Sequence, residues 1–263
     1  MMKKLKFSLS AKAFLAVVII LLPILFAFAA GFRDNKEMLK KYFLDDLTLM
    51  AEAIEVQVYQ FLDAGKRRAQ DFASDGLIIA ELDGAASGGG WSASRLERHI
   101  VSNKLRLSDQ ISAIAVISPQ GQVIASSEDS LLGLDFSAED LFRKGRHGVA
   151  ASEMRSGIGG TPDLAFSAPI SNEEGELIGV LGNFVSASEL RGLLSGELAR
   201  NLGALSSRLD RRETYEAYLV NRDRLMITDS IFRDGAAFDQ RADTLPVSAC
   251  LERAARLRPI CRP

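Results

Sequence analysis

Cysteine is almost missing: Cys250 and Cys261 are the two in 263 residues, both near the C-terminus. That excludes a disulfide framework, though an exported domain can still pair this couple, so the core must hold by burial. Histidine is as scarce, with His99 and His147 only. His99 falls on a predicted helix two residues from Glu97 and does not face it, and His147 falls in a loop. No His/Cys/Asp cluster has metal-ligand spacing, and no Ser/His/Asp arrangement for nucleophilic catalysis is visible. No metal or cofactor is expected. An excess of positive charge is missing too. Lys plus Arg number 32 against 34 acidic residues, for a net charge of -2 and a pI of about 5.8. The basic residues are scattered rather than interleaved with aromatics, so nucleic acid is not an expected partner. Gly157, Gly159 and Gly160 lack a following Gly-Lys-Ser/Thr, and Pro162 comes before any helix; this reads as a strand connector, not a phosphate loop. Glu173 and Glu174 sit in a turn and are solvated. No enzyme signature appears.

What the sequence does have is one long apolar run. From Ala13 to Phe32 no residue is charged. About twenty residues suffice for a helix to cross a hydrocarbon core of roughly 30 Å. Lys3, Lys4, Lys6 and Lys12 precede the run, which places the N-terminus in the cytoplasm and the bulk outside. Pro23 is tolerated mid-span as a kink. Ala27-Phe28-Ala29 also meets the minimal pattern of a cleaved signal peptide, but the run is longer than the usual h-region. Either way, the remaining chain is exported.

The run continues into a long helix, residues 33–72. Phe43, Leu47, Met50, Ile54, Val58 and Phe61 recur at a mean spacing near 3.6, one apolar stripe on an amphipathic helix. A strict heptad would need an apolar residue at Gln57 and is excluded. The stripe can lie on its own domain's sheet or form a seam between two copies. Gly65 is the first weak point in the helix.

After the helix come Ile78–Ala80, a short apolar piece, and a Gly-rich loop over 83–90. Ser94 with Glu97 forms a capping box that predicts a helix to Leu107. Ile111–Ile117 reads as a buried strand, Ser118–Gly121 as a turn, and Gln122–Ser126 as the hairpin partner. Ser137 is expected to cap a short helix to Lys144, with Asp140 in its first turn. Strands are predicted at Gly148–Glu153, Asp163–Ile170 and Leu177–Val185, with a loop over 156–162 and a turn at Asn172–Gly175. The near-continuous apolar character of the last strand suits a central position packed on both faces. Ser186 with Glu189 is a further capping box, opening a helix to Leu209. A second strand–turn–strand is expected over Thr214–Asp229, and a helix over Val247–Arg256.

This order resembles the double Cache extracytoplasmic sensor domains of bacterial chemoreceptors, sensor histidine kinases and cyclic-di-nucleotide enzymes, over roughly Lys36 to Glu252. The pieces that carry the resemblance are Phe166–Ile170 (Phe-Ser-Ala-Pro-Ile) with Gly175–Gly179, and Tyr218–Asp223 (Tyr-Leu-Val-Asn-Arg-Asp). The resemblance implies an α+β fold. A transmembrane helix would run into a long helix, followed by a PAS-like antiparallel five-stranded module over 73–212 and the start of a second over 213–263. It implies the sensing region of a receptor in the bacterial plasma membrane, residues 1–12 being cytoplasmic, that binds a small ligand; a homodimer through the long helix is one of the two readings of its stripe, the other being packing on its own sheet. Such receptors normally complete the second module, cross the membrane again and end in an output domain; here the pattern stops at Pro263, as in a truncated product. Members that bind amino acids carry an Arg-x-Trp with tyrosines, whereas Phe142–Gly148 has neither Trp nor Tyr, so an amino-acid ligand is not implied. Mapped onto the resembling fold, the pocket residues are Arg143, Glu153, Arg155, Asp163, Phe166 and Asn183, with either arginine able to pair bidentately with a carboxylate. The rival functions are a secreted periplasmic binding protein cleaved near Ala29 and, more distantly, a membrane-anchored hydrolase.

Overall fold

The computed structural model describes residues 9–86, 88, 90–156, 162–194, 216–230, 232–233 and 235–257. The chain divides into two compact units between Ala53 and Ile54. Helix α1, Leu9–Ala73, contributes to both.

In the first unit α1 is apolar all round its N-terminal part. Phe14, Ile19, Leu22, Leu25 and Phe28 are all exposed. The most apolar window has a mean hydropathy of 2.1, and none of it is buried within the chain. By length and composition it can cross a membrane. Pro23 lies inside the helix without ending it.

The second unit is built on an antiparallel sheet in the order β2-β1-β6-β5-β3, with the two-residue β4 also paired to β5. The strands are β1 Ile111–Ile117, β2 Val123–Ser126, β3 Ala150–Ala151, β4 Arg155–Ser156, β5 Pro162–Ser171 and β6 Leu177–Ser186. β6 is central, and eight consecutive residues of it are buried because both faces are covered. One face carries Leu164, Phe166, Ala168, Leu181 and Val185, and meets Ala69, Phe72 and Ala73 of α1. Val58, Phe61 and Leu62 of α1 pack on the same cluster. The other face carries Ala113, Ala115, Ala165, Val180 and Phe184, and meets Leu141 and Phe142 of α4, Asp140–Gly145. Period-two alternation sends neighbouring residues of each strand to opposite layers. Pro169 lies on β5 beyond the reach of β3, which pairs only with Phe166 and Ser167, so its missing N–H removes no bond to an outer strand.

The β1–β2 hairpin turns at Gly121, whose φ of +99° a side chain would resist. The chain then doubles back along the free edge of β2. Val123 N–H donates to Leu134 O, Gly133 N–H to Val123 O, and Phe136 N–H to Gly121 O.

Several local expectations are corrected. Ile78–Ala80 and the first part of the expected loop form one helix, α2, Gly76–Ala86. Burial of Ile78 and Leu82 at a spacing of four outweighs the poor helix propensity of Gly84. Helix α3, Ala93–His99, is capped by Ser92, whose Oγ accepts from Arg95 N–H, and not by Ser94. It does not run on as an α-helix to Leu107, because a π-helical segment Ile100–Lys104 and a 3₁₀ turn Leu105–Leu107 follow. Ser137 does not cap α4; Glu139 holds that position with no side-chain bond, while Asp140 is in the first turn as expected. The strand expected at Gly148–Glu153 shrinks to Ala150–Ala151, and a further strand appears at Arg155–Ser156. Ser186 caps α5, Ala187–Leu194, its Oγ accepting from Ser188 N–H; the expected continuation to Leu209 lies outside the described residues. The second hairpin keeps its turn, since Asn221 N–H donates to Leu225 O and Arg224 N–H to Asn221 O. Its strands reduce to isolated bridges, Val220 with Met226 and Leu225 with Arg241. Helix α6, Leu245–Leu257, covers a small cluster of Met226, Ala236, Ala242 and Val247. Arg191 on α5 pairs with Asp229.

Candidate functional site

The most distinctive site lies between α1 and the sheet. Asn183 on β6 sits in register with Phe166 on β5 and Ile114 on β1. Both neighbours belong to the apolar layer facing α1, so Asn183 is a polar residue set in an apolar row. It is 1% exposed, and neither its Oδ1 nor its Nδ2 has a hydrogen-bond partner among the described residues. A buried, unsatisfied amide group costs about 1–3 kcal/mol. An ordered water, an ion or a bound ligand can meet such an amide.

Asn183 lines a cavity of about 20 Å³, room for one or two water-sized groups. Phe61, Gly65 and Arg68 of α1 form one wall, and Phe166 another. Gln110, which is exposed, also lines it. Two helical turns bring Phe61, Gly65 and Arg68 to one face. A side chain at residue 65 has no room, because a Cβ there would lie 2.3 Å from Cζ of Phe166. The rings of Phe61 and Phe166 meet edge to face at 6.0 Å. Arg68 is half-buried, and its Nη1 donates to Ser108 Oγ at 2.6 Å. Among the described residues no carboxylate lies within ion-pair distance of Arg68.

Of the expected pocket residues, the structure brings Phe166 and Asn183 together here. Asp163 is buried on β5, opposite Ser186, and out of phase with Phe166, so it belongs to the layer facing α4. Arg143 on α4 is exposed. Glu153 is exposed, and its N–H donates to Asp140 Oδ2 at 3.2 Å. Arg155 pairs with Asp163 across β4 and β5 through the backbone register; its side chain lies outside the described residues. Burial works to raise the Asp140 carboxyl, but Lys144 at 2.6 Å, the Glu153 N–H and Arg143 hold it below its ordinary value. The layer between α4 and the sheet is filled by Phe136 and Phe184, edge to face at 6.3 Å, with Leu141 and Phe142. Ser167 Oγ is buried there without a partner among the described residues.

Along the long-helix stripe, Phe43 and Leu47 are exposed, Met50 is buried and Ile54 half-buried, while Val58 and Phe61 pack on the sheet's core.

A charged cluster that the sequence did not reveal joins three elements. Asp75 caps α2, its Oδ1 accepting from Leu77 N–H and Ile78 N–H. Lys104 Nζ reaches its Oδ2 at 2.7 Å, and His99 Nε2 comes within 3.0 Å of Oδ1 without the alignment of a hydrogen bond. His99 and Lys104 are five apart, on different faces of an α-helix. The π-helical segment closes i to i+5 and turns both toward Asp75. Lys104 also lies 5.1 Å from the centre of the Phe72 ring, a cation–π contact. Burial works to raise the Asp75 carboxyl, yet the Lys104 ammonium, the Ile78 N–H and His99 outweigh it and hold it at about 2. Among the described residues no group of acids, histidines and cysteines can hold a metal.

No protein-family model matches the chain, and no curated protein matches it in sequence. Solved structures do match. The fold is that of a Cache-type histidine kinase sensor domain. The sensor domain of the V. cholerae histidine kinase DctB superimposes with a TM-score of 0.59 at 16% identity, covering 82% of this chain and 77% of that one. The ligand-binding domain of the Pseudomonas aeruginosa PAO1 amino-acid chemoreceptor PctC gives 0.45 at 17% identity, over 76% and 79%. The sensory domain of the Campylobacter jejuni chemoreceptor Tlp3 gives 0.47 at 13%, over 78% and 76%. At 16% identity the DctB match establishes a shared fold and nothing finer.

Proposed function

We propose that the chain is the extracytoplasmic small-molecule sensing region of a bacterial membrane signalling receptor. The observation that carries this is the fold shared with the DctB sensor domain, at a TM-score of 0.59. In this reading residues 13–32 anchor the protein in the plasma membrane, with the N-terminus cytoplasmic. The unit from Ile54 onward holds the ligand, without catalysing a reaction. Two copies associate along α1 through Phe43 and Leu47, the exposed part of the apolar stripe. Ligand binding acts by preferring one of two arrangements of the long helices and shifting their populations.

A thermal-shift screen of the full chain in lipid nanodiscs tests the reading. Small organic acids, amines and sugars are offered one class at a time. A saturable rise in Tm with one class supports it, because a ligand that binds only the folded state stabilises by mass action. No response to any class, together with hydrolytic turnover of an ester or amide panel, overturns it. The mass of the mature protein tests the anchor. Loss of about 3 kDa would show that the apolar run is a removed signal peptide and that the protein is a secreted binding protein.

A further inference from the structure

We infer that the cavity between α1 and the sheet is a binding site for a one- or two-carbon carboxylate, held by Arg68 and the side-chain amide of Asn183. Three independent observations converge on it. The Asn183 amide is buried at 1% exposure, lines the cavity and meets no partner among the described residues. Arg68 lines the same cavity, spends Nη1 on the neutral Ser108 hydroxyl, and has no carboxylate within reach among the described residues. A guanidinium has five N–H donors in a planar fork, so the remaining ones suit a carboxylate. Apart from the exposed Gln110 the rest of the wall is apolar, with the Phe61 and Phe166 rings in edge-to-face contact.

This donor set selects the ligand class. A guanidinium and an amide N–H₂ lining one cavity favour a planar anion with two acceptor oxygens. The aromatic rings favour a methyl or a hydrogen at its other end. The cavity of about 20 Å³ excludes longer acids unless the walls move. Acetate matches the donor set and the rings, and seating its four heavy atoms requires the walls to widen beyond the resting cavity. Gln110, exposed at the lining, provides a further amide toward the entering anion.

The inference deepens the sensor reading by naming a ligand class, and it rests on that reading only for its signalling consequence. The test uses the full chain in nanodiscs, with acetate as probe and chloride at equal ionic strength as control. Saturation-transfer NMR reads contact between the acetate methyl and the protein, and titration calorimetry reads affinity. The expected result is saturable acetate binding that chloride does not reproduce, with saturation transferred from aromatic protons. Arg68→Gln should weaken binding at least about tenfold, the loss of a charge-assisted bond. Asn183→Asp places a carboxylate inside the site to pair with Arg68, and should abolish acetate binding while the protein stays folded. Acetate that binds Arg68→Gln as tightly as wild type overturns the inference. So does the absence of saturable binding to wild type, a readout that needs no variant to fold. A chain that responds to some other ligand class but not to acetate also overturns the inference and leaves the sensor reading standing.

Discussion

The Phe166 ring fills the space that a side chain on residue 65 would take, since a Cβ on Gly65 would lie 2.3 Å from the ring's Cζ. Glycine inside a helix costs about 1 kcal/mol relative to alanine. Here that cost lets the helix approach the sheet and shape the cavity. Gly65→Ala should therefore destabilise by about 1–3 kcal/mol, as overpacking does, despite its better helix propensity. Phe166→Leu on that background should recover part of the loss. Urea denaturation of the four combinations checks this; a Gly65→Ala variant as stable as wild type would show that the ring moves aside freely.

Asp75 gives an acid-sensitive window. Its carboxyl is held at about 2, below the ordinary 3.8. The folded state thus favours the ionised form, which contributes stability fully present above pH 4 and lost as pH falls toward 2. The difference corresponds to at most about 2.5 kcal/mol, and partial solvent exposure reduces that to about 1–2. Asp75→Asn should lower stability at pH 7 and flatten the fall between pH 4 and pH 2. Equal slopes for the two proteins across that window would remove Asp75 as its source.

The long stripe should behave as two segments. Val58 packs on the sheet's core, so Val58→Asp buries an unpaired charge and should cost about 3 kcal/mol or more. Phe43 and Leu47 are exposed, so Phe43→Asp with Leu47→Asp should leave Tm within a degree or two and lower the mass of the detergent-solubilised protein to that of a monomer. Light scattering with a thermal melt on each variant reads both effects. An unchanged mass in the double variant would argue against a seam at those residues.

Topology can be read at one atom. Cys250 is exposed on α6, and Cys261 is the other cysteine in the chain. With Cys261 replaced by Ser, a membrane-impermeant maleimide should label Cys250 when the outer face of the plasma membrane is accessible, before lysis. Labelling only after lysis would place the sheet on the cytoplasmic side.

Much of the sheet was legible because its signals are local. β1 begins and ends where its apolar run does, at Ile111 and Ile117, bounded by Ser108–Gln110 and Ser118-Pro119. β6 is apolar without alternation, and it is the strand covered on both faces. The misses came where distant contacts decide. Ser92 and Ser94 both carry capping chemistry; Glu81 settles the choice by accepting from Ser92 N–H at 2.9 Å and pairing with Arg95 at 3.1 Å. No periodicity rule puts His99 and Lys104 on one side, because that needs a π-helical turn. At the cavity, Phe166 and Asn183 stood out on the sheet, whereas Arg68 was lost among the charges of the wet helix face. Gly65 was the available signal, since a glycine inside a long helix marks a close approach as readily as a weak point.

The segment that folds back over β2 has a consequence for how copies of the protein meet. It occupies the outward N–H and C=O of Val123 at the start of that four-residue strand. At the opposite margin the outer strands β3 and β4 are two residues each. Neither margin offers a foreign strand a long row of donors and acceptors. Growth by strand addition is thereby discouraged, and crowding leaves this sheet a poor template for a neighbouring copy.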